Sequence, residues 1–170
     1  MVTITVETGV GVLNANSFVT VAEARSYALD RGVVLSAVDD TVAAQLIKAK
    51  DYLEALADQY QGYMVSAEQA LQWPRSGVYL YDSEAEFSAT AIPKELKAAQ
   101  CALVMALESG VDITPAYTPS QLVIEETVGP ITTKYADPRG AKPTPVMTAV
   151  NAMIAPLLER KKASLRTVRV

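Results

Sequence analysis

Val42, Leu46, Ala49, Leu53, Leu56 and Tyr60 recur at alternating steps of four and three residues. Side chains at that spacing share one face of a helix, so the pattern predicts a helix over about residues 40–60, closed by Gly62. Leu96, Ala99, Leu103 and Leu107 mark a second such face over 93–109, with Pro93 at the first helical position and Gly110 beyond the last. A shorter helix over 21–31 is announced by Thr20 and Glu23, the two halves of a capping box, and stopped by Gly32. Ser66 and Gln69 repeat that box ahead of a helix over 67–73, which Pro74 stops.

Elsewhere the period changes. Val2, Ile4 and Val6 alternate with threonines and suit a short strand or an extended N-terminal arm. The stretch "QLVIEETVGPITTKYAD" reads as two strands around Gly129 and Pro130, a hairpin over about 121–136. Such a hairpin is marginal alone and must lean on helices or on another copy. Thr144 caps and Pro145 starts a last helix whose Val146, Val150, Ile154 and Leu157 face inward. The loop after Pro74 is long for a compact domain, which makes it a contact loop or a mobile one. The expected fold is mainly α: a small bundle of four to five helices with an inserted β-hairpin and extended N- and C-terminal arms. Residues 1–159 form the helical domain and 160–170 a separate arm.

Charge divides the chain at the same place. Residues 1–159 hold 10 Lys/Arg against 19 Asp/Glu, a balance of −9, while "RKKASLRTVRV" holds five basic residues and no acid. An acidic body with a basic tail calls for a partner for the tail. Leu165, Val168 and Val170 roughly alternate with Arg166 and Arg169, a pattern that favours an extended arm docking on protein over a nucleic-acid or membrane footprint. No stretch approaches the about 18 apolar residues that span a bilayer, and the N-terminus lacks a signal sequence, so a soluble product of the cytoplasm is expected.

Little in the chain points to catalysis. It has no histidine, which removes imidazole triads and imidazole metal ligands. The single cysteine, Cys101, sits within the 93–109 helix as a small core residue with no base to activate it. Asp39 and Asp40 belong at a helix N-terminus for electrostatic reasons alone. Asp82, Glu84 and Glu86 lack the glycine and the closing acid of a calcium loop. "GVG" at 9–11 has neither the pattern nor the lysine of a phosphate loop. No enzyme, cofactor or metal is expected.

"ALQWPRSG" holds the only tryptophan. Trp73 beside Arg75 has the makings of a base-stacking platform, but stacking needs a cationic groove to bring in the strand. Between Lys50 and Lys94, Arg75 is the one cation among seven acids. The favoured reading is structural: Trp73 packs over the end of the short helix, Pro74 turns the chain, and Arg75 reaches a carboxylate or a neighbouring subunit.

Taken in order, "NANSFVTVAEARSYALDRG", "LIKAKDYLEAL", "QALQWPRSG", "IPKELKAAQCALVMAL" and "EETVGPITTKYAD" resemble the head–tail connector (adaptor, or head-completion) proteins of long-tailed bacteriophages. That family is often labelled DnaT-like single-stranded DNA-binding. The resemblance covers nearly the whole chain. It implies a virion structural protein, made in the host cytoplasm and located in the neck, whose copies form a ring, usually dodecameric, beneath the portal protein. Such a ring extends the DNA channel and receives the next neck component, a stopper or tail terminator. Double-stranded DNA passes through it without specific binding, and no membrane is involved. By the same resemblance Arg160, Lys161, Lys162, Leu165, Arg166, Val168, Arg169 and Val170 form the portal-docking arm. Asp82, Glu84, Glu86, Glu125 and Glu126 are candidates for the lumen or for contacts between subunits. The label carries the alternative, a DnaT-like single-stranded DNA-binding accessory protein of replication.

Overall fold

The computed structural model describes residues 1–80, 83–114, 125–128, 131–134 and 147–159, with 125–128 and 131–134 described by backbone alone. Among the described residues four helices dominate: α1 (Val21–Leu29), α2 (Asp39–Glu54), α3 (Lys94–Glu108) and α4 (Thr148–Ile154). Two antiparallel pairs accompany them, β1 (Tyr63–Met64) with β2 (Arg75–Ser76), and β3 (Glu125–Val128) with β4 (Ile131–Lys134). The architecture is mainly α with an inserted hairpin.

The central helix is α3, packed against α1, α2 and α4. Its Leu96, Ala99, Leu103 and Val104 are fully buried together with Val42, Leu46 and Leu53 of α2 and Ile154 of α4. Burying a side chain of this size is worth about 1.5–3 kcal/mol, so the α2–α3 seam holds the largest single share of the core. One polar group joins it. Gln100, fully buried, accepts the Phe18 N–H at 2.9 Å and donates to Ser17 Oγ and to the Leu46 carbonyl at 2.9 Å each. With both amide atoms satisfied, this residue ties the N-terminal segment to α2 and α3.

The box at α1 forms as expected: Thr20 Oγ1 accepts the Glu23 N–H at 3.1 Å, and Glu23 accepts the Thr20 N–H at 2.7 Å. Of the last helix, Val150, Ile154 and Leu157 are buried, Leu157 in a 3-10 turn over Ala155–Leu157. Thr144, Pro145 and Val146 lie outside the described residues, and the described helix starts at Thr148. The N-terminal arm is extended and clipped to residues 16–17 by a parallel bridge of Val6 with Ser17 and by the Asn16 N–H on the Thr5 carbonyl.

Two expectations are corrected. The helix over 40–60 ends at Glu54; a 3-10 turn, Ala57–Gln59, follows, and Tyr60 pairs in a bridge with Leu158. The apolar spacing persists past the helix because Tyr60 stays buried, its hydroxyl on the Leu53 carbonyl at 3.0 Å. Gly62 therefore stops no helix: it has φ +67°, and a Cβ there would stand 2.0 Å from the Ser76 carbonyl oxygen. Its bareness lets β1 approach β2.

The second correction concerns residues 67–73, which form turns and no helix. Half of the capping box is present, the Ser66 N–H on Gln69 Oε1 at 3.0 Å. The Gln69 amide, however, donates to the carbonyls of Leu71 (2.7 Å) and Pro74 (3.0 Å), and Ser66 Oγ accepts from Glu68. Side chains thus take over the backbone groups of the segment. Leu71 and Trp73, two apart, are both buried, a spacing that suits extended chain.

Candidate functional site

Trp73 lies at the centre of the excursion that runs from α2 through β1 and β2. It is 0% exposed and meets the Tyr60 ring edge-on, centroids 5.7 Å apart and planes at 82°. Its peptide bond to Pro74 is cis. Nε1 has no hydrogen-bond partner among the described residues. A ring without exposed face offers nothing to a base, so the packing role is the one seen, over the β1–β2 turn instead of a helix end.

For Arg75 a carboxylate or a neighbouring subunit is expected, and a single chain bears only on the first. Among the described residues its guanidinium hydrogen-bonds no carboxylate: Nε donates to the Gln61 carbonyl and Nη2 to the Gly62 carbonyl, both at 2.7 Å, and Nη1 to Gln72 Oε1 at 3.1 Å. Burial lowers its pKa, opposed by Tyr60, Glu159 and Glu54 nearby. These bonds fasten the two ends of the excursion together. Glu54, at the end of α2, receives the Gln72 N–H on both oxygens at 3.1 and 3.0 Å. Burial raises its pKa, with the Gln72 N–H acting the other way. Burial likewise raises the Tyr60 hydroxyl far above its ordinary range.

Other candidates fall in separate places. Glu84 is exposed, and Glu86 accepts the Gly77 N–H at 2.5 Å, so one of the two is already engaged within the chain. Asp82 lies outside the described residues. Glu125 and Glu126 stand in β3 opposite Lys134 and Thr133. The whole arm, Arg160 to Val170, is outside the described residues. Cys101 is buried, its thiol pushed up to about 12 by burial. Asp39 pairs with Arg25 at 2.5 Å, and Asp40 accepts the Val2 N–H at 2.7 Å. Among the described residues no group of three or more His, Cys, Asp or Glu is placed to hold a metal ion. None of the described helices is long and apolar enough to cross a membrane.

One buried carboxylate had no warning in the sequence beyond its interruption of an apolar run. Glu7 is 0% exposed and receives three backbone N–H groups, from Gly9 (2.8 Å), Gly11 (3.0 Å) and Val12 (2.7 Å). The "GVG" loop therefore cradles an anion after all, and the anion is the protein's own.

This is a small helical domain whose most decorated element, the Trp73–Arg75 turn, is spent on its own architecture. The chain belongs to the family described as "Putative DnaT-like ssDNA binding protein", whose model matches residues 2–170. No curated protein and no solved structure matches it.

Proposed function

We propose that the chain is a non-catalytic structural subunit, the head–tail connector of a long-tailed bacteriophage, working as a homo-oligomeric ring below the portal. The observation that carries this reading is the division of charge: −9 over residues 1–159 and five cations in the last eleven residues. Duplex DNA carries one phosphate per about 1.7 Å of axis, so a basic ring would hold it by counterion release, whereas an acidic ring lets it slide. The cationic arm, Arg160–Val170, docks outward on the portal, and many weak arms on one ring act together. The ring number, the neck location and the next component, a stopper or tail terminator, rest on resemblance to the connector family.

A second reading is favoured by the family's description, which speaks for single-stranded DNA binding and backs that function more directly than the connector role. Against it stand the sealed Trp73, the engaged Arg75 guanidinium and the acidic body. Among the described residues exposed rings exist at Tyr63 and Tyr79, and single-strand stacking could draw on them.

The experiment is co-purification with the portal. Full-length chain should form a stable complex, and a chain lacking 160–170 should keep its fold and lose the complex. Docking unaffected by the truncation would remove the arm's assigned role. A titration with single-stranded oligonucleotide at two salt concentrations decides the second reading: micromolar, salt-sensitive binding lost in Y63A would establish it.

A further inference from the structure

The stretch that leads into the 160–170 arm is stitched to the body. Helix α4 ends at Ile154, the 3-10 turn Ala155–Leu157 follows, and Leu158 is extended. Three successive carbonyls of this stretch end on one residue: Gln61 Nε2 donates to Pro156 at 2.8 Å and to Leu158 at 3.2 Å, and the Gln61 N–H donates to Leu157 at 3.0 Å. The Glu159 N–H answers on the Gln59 carbonyl at 2.7 Å, which completes the antiparallel bridge of Tyr60 with Leu158. These contacts are long-range, with 95 and 97 positions between the side-chain partners.

Gln61 is itself held from the other side. Its carbonyl accepts Arg75 Nε at 2.7 Å and its Oε1 accepts the Tyr79 N–H at 3.3 Å, so all four of its polar groups are engaged. Arg75, only 7% exposed, also grips the Gly62 carbonyl, and the neighbouring Tyr60 ring packs edge-on to Trp73. The Trp73–Arg75 turn thus braces Gln61, and Gln61 braces the chain at Pro156–Leu158. The ladder stops at Glu159. Its register sets Asp58 against the following residue, and Asp58 belongs to the 3-10 turn Ala57–Gln59.

We infer that Gln61, braced by Arg75, is the positioning residue of the C-terminal arm: it fixes the point at which residues 160–170 leave the body. A fixed base leaves the arm less freedom to lose on docking, which strengthens a contact without adding one. On a ring, fixed bases also set the spacing at which many arms engage together. The Trp73–Arg75 turn thereby gains a task beyond its own packing. The use of the clamp rests on the connector reading, whereas the clamp itself belongs to the single chain.

Amide hydrogen exchange by NMR and portal binding, both on the full chain, test it together. In the wild type the Gln61 and Glu159 N–H groups should exchange more slowly than in unfolded chain. Gln61→Ala removes the bonds to Pro156, Leu158 and Tyr79 and should speed exchange at Glu159 at least about tenfold, with Leu103 and Val104 of α3 unchanged. Gln61→Glu keeps the shape but turns an acceptor toward the Pro156 and Leu158 carbonyls, so it should loosen Glu159 at least as much. A residue that only filled space would tolerate that change. Both variants should bind the portal at least about tenfold more weakly. Glu159 exchange indifferent to either variant overturns the clamp, and loosened exchange with unaltered portal binding overturns its positioning of the arm. A wild type that binds no portal strikes the connector reading instead, and exchange at Glu159 still decides the clamp.

Discussion

Trp73→Ala separates a structural tryptophan from a nucleic-acid platform. The side chain is wholly buried and loses both its volume and its edge-on contact with Tyr60. Truncating a buried Trp to Ala costs about 3–5 kcal/mol, of which the aromatic contact supplies about 0.5–1.5. Against a total stability of about 5–15 kcal/mol this is a large fraction. At about 2–4 °C per kcal/mol for a chain of this size, the melting temperature should fall by about 6–20 °C. Trp73→Phe should cost much less than the change in volume implies, because the indole Nε1 it removes is buried without a partner among the described residues. Urea unfolding followed by circular dichroism measures both, and single-stranded DNA titration below the transition supplies the second axis. Full stability in Trp73→Ala, or folded protein that has lost a DNA affinity the wild type possesses, would refute the packing role.

Glu7→Gln keeps one acceptor oxygen and turns an NH2 toward an N–H of the 9–12 loop; loss of one charge-assisted bond and the mismatch should cost about 2–4 kcal/mol in urea unfolding. Gln100→Leu leaves the Phe18 N–H without its acceptor in the core and removes a second donor from the Leu46 carbonyl, and the same measurement should show a loss of about 1–3 kcal/mol. Glu54 has a raised folded pKa, so its ionisation opposes folding: the contribution is present below the ordinary carboxylate value and lost as pH rises through the folded one. Glu54→Gln should therefore match or exceed wild-type stability at pH 7, with the difference shrinking as pH falls toward 4 in paired melts. Glu23 shifts the other way, its pKa lowered first by the Thr20 N–H, so its stabilisation holds at neutral pH and disappears as acid protonates it; Glu23→Gln should flatten the acid limb of the wild-type curve.

Periodicity made most of the frame legible. The Thr20–Glu23 box and the stops at Gly32 and Gly110 place the ends of α1 and α3 within two residues. Where it misled, side-chain hydrogen bonds or long-range contacts took over. Tyr60 keeps the helical spacing because it is buried against Trp73, which no local rule encodes. Gln69 satisfies carbonyls inside its own turn and so replaces the helix that its box with Ser66 announces. The two-residue strands β1 and β2 are shorter than any alternation can reveal; the only signal was Gly62, read as a stop. Glu7 and Gln100 depend on partners that the fold brings together, Gln100 with Ser17 and Leu46 far along the chain. Of the candidate site, Trp73 as packing residue was legible from its acidic surroundings. Arg75 bonding the Gln61 and Gly62 carbonyls was not, because those partners are backbone atoms that no sequence marks.

The direct measurement is an electron cryomicroscopy reconstruction of the neck of intact particles. The account predicts a ring of this chain between portal and tail, its acidic body around the duplex and residues 160–170 against the portal. A neck complete without any density for the chain would contradict it.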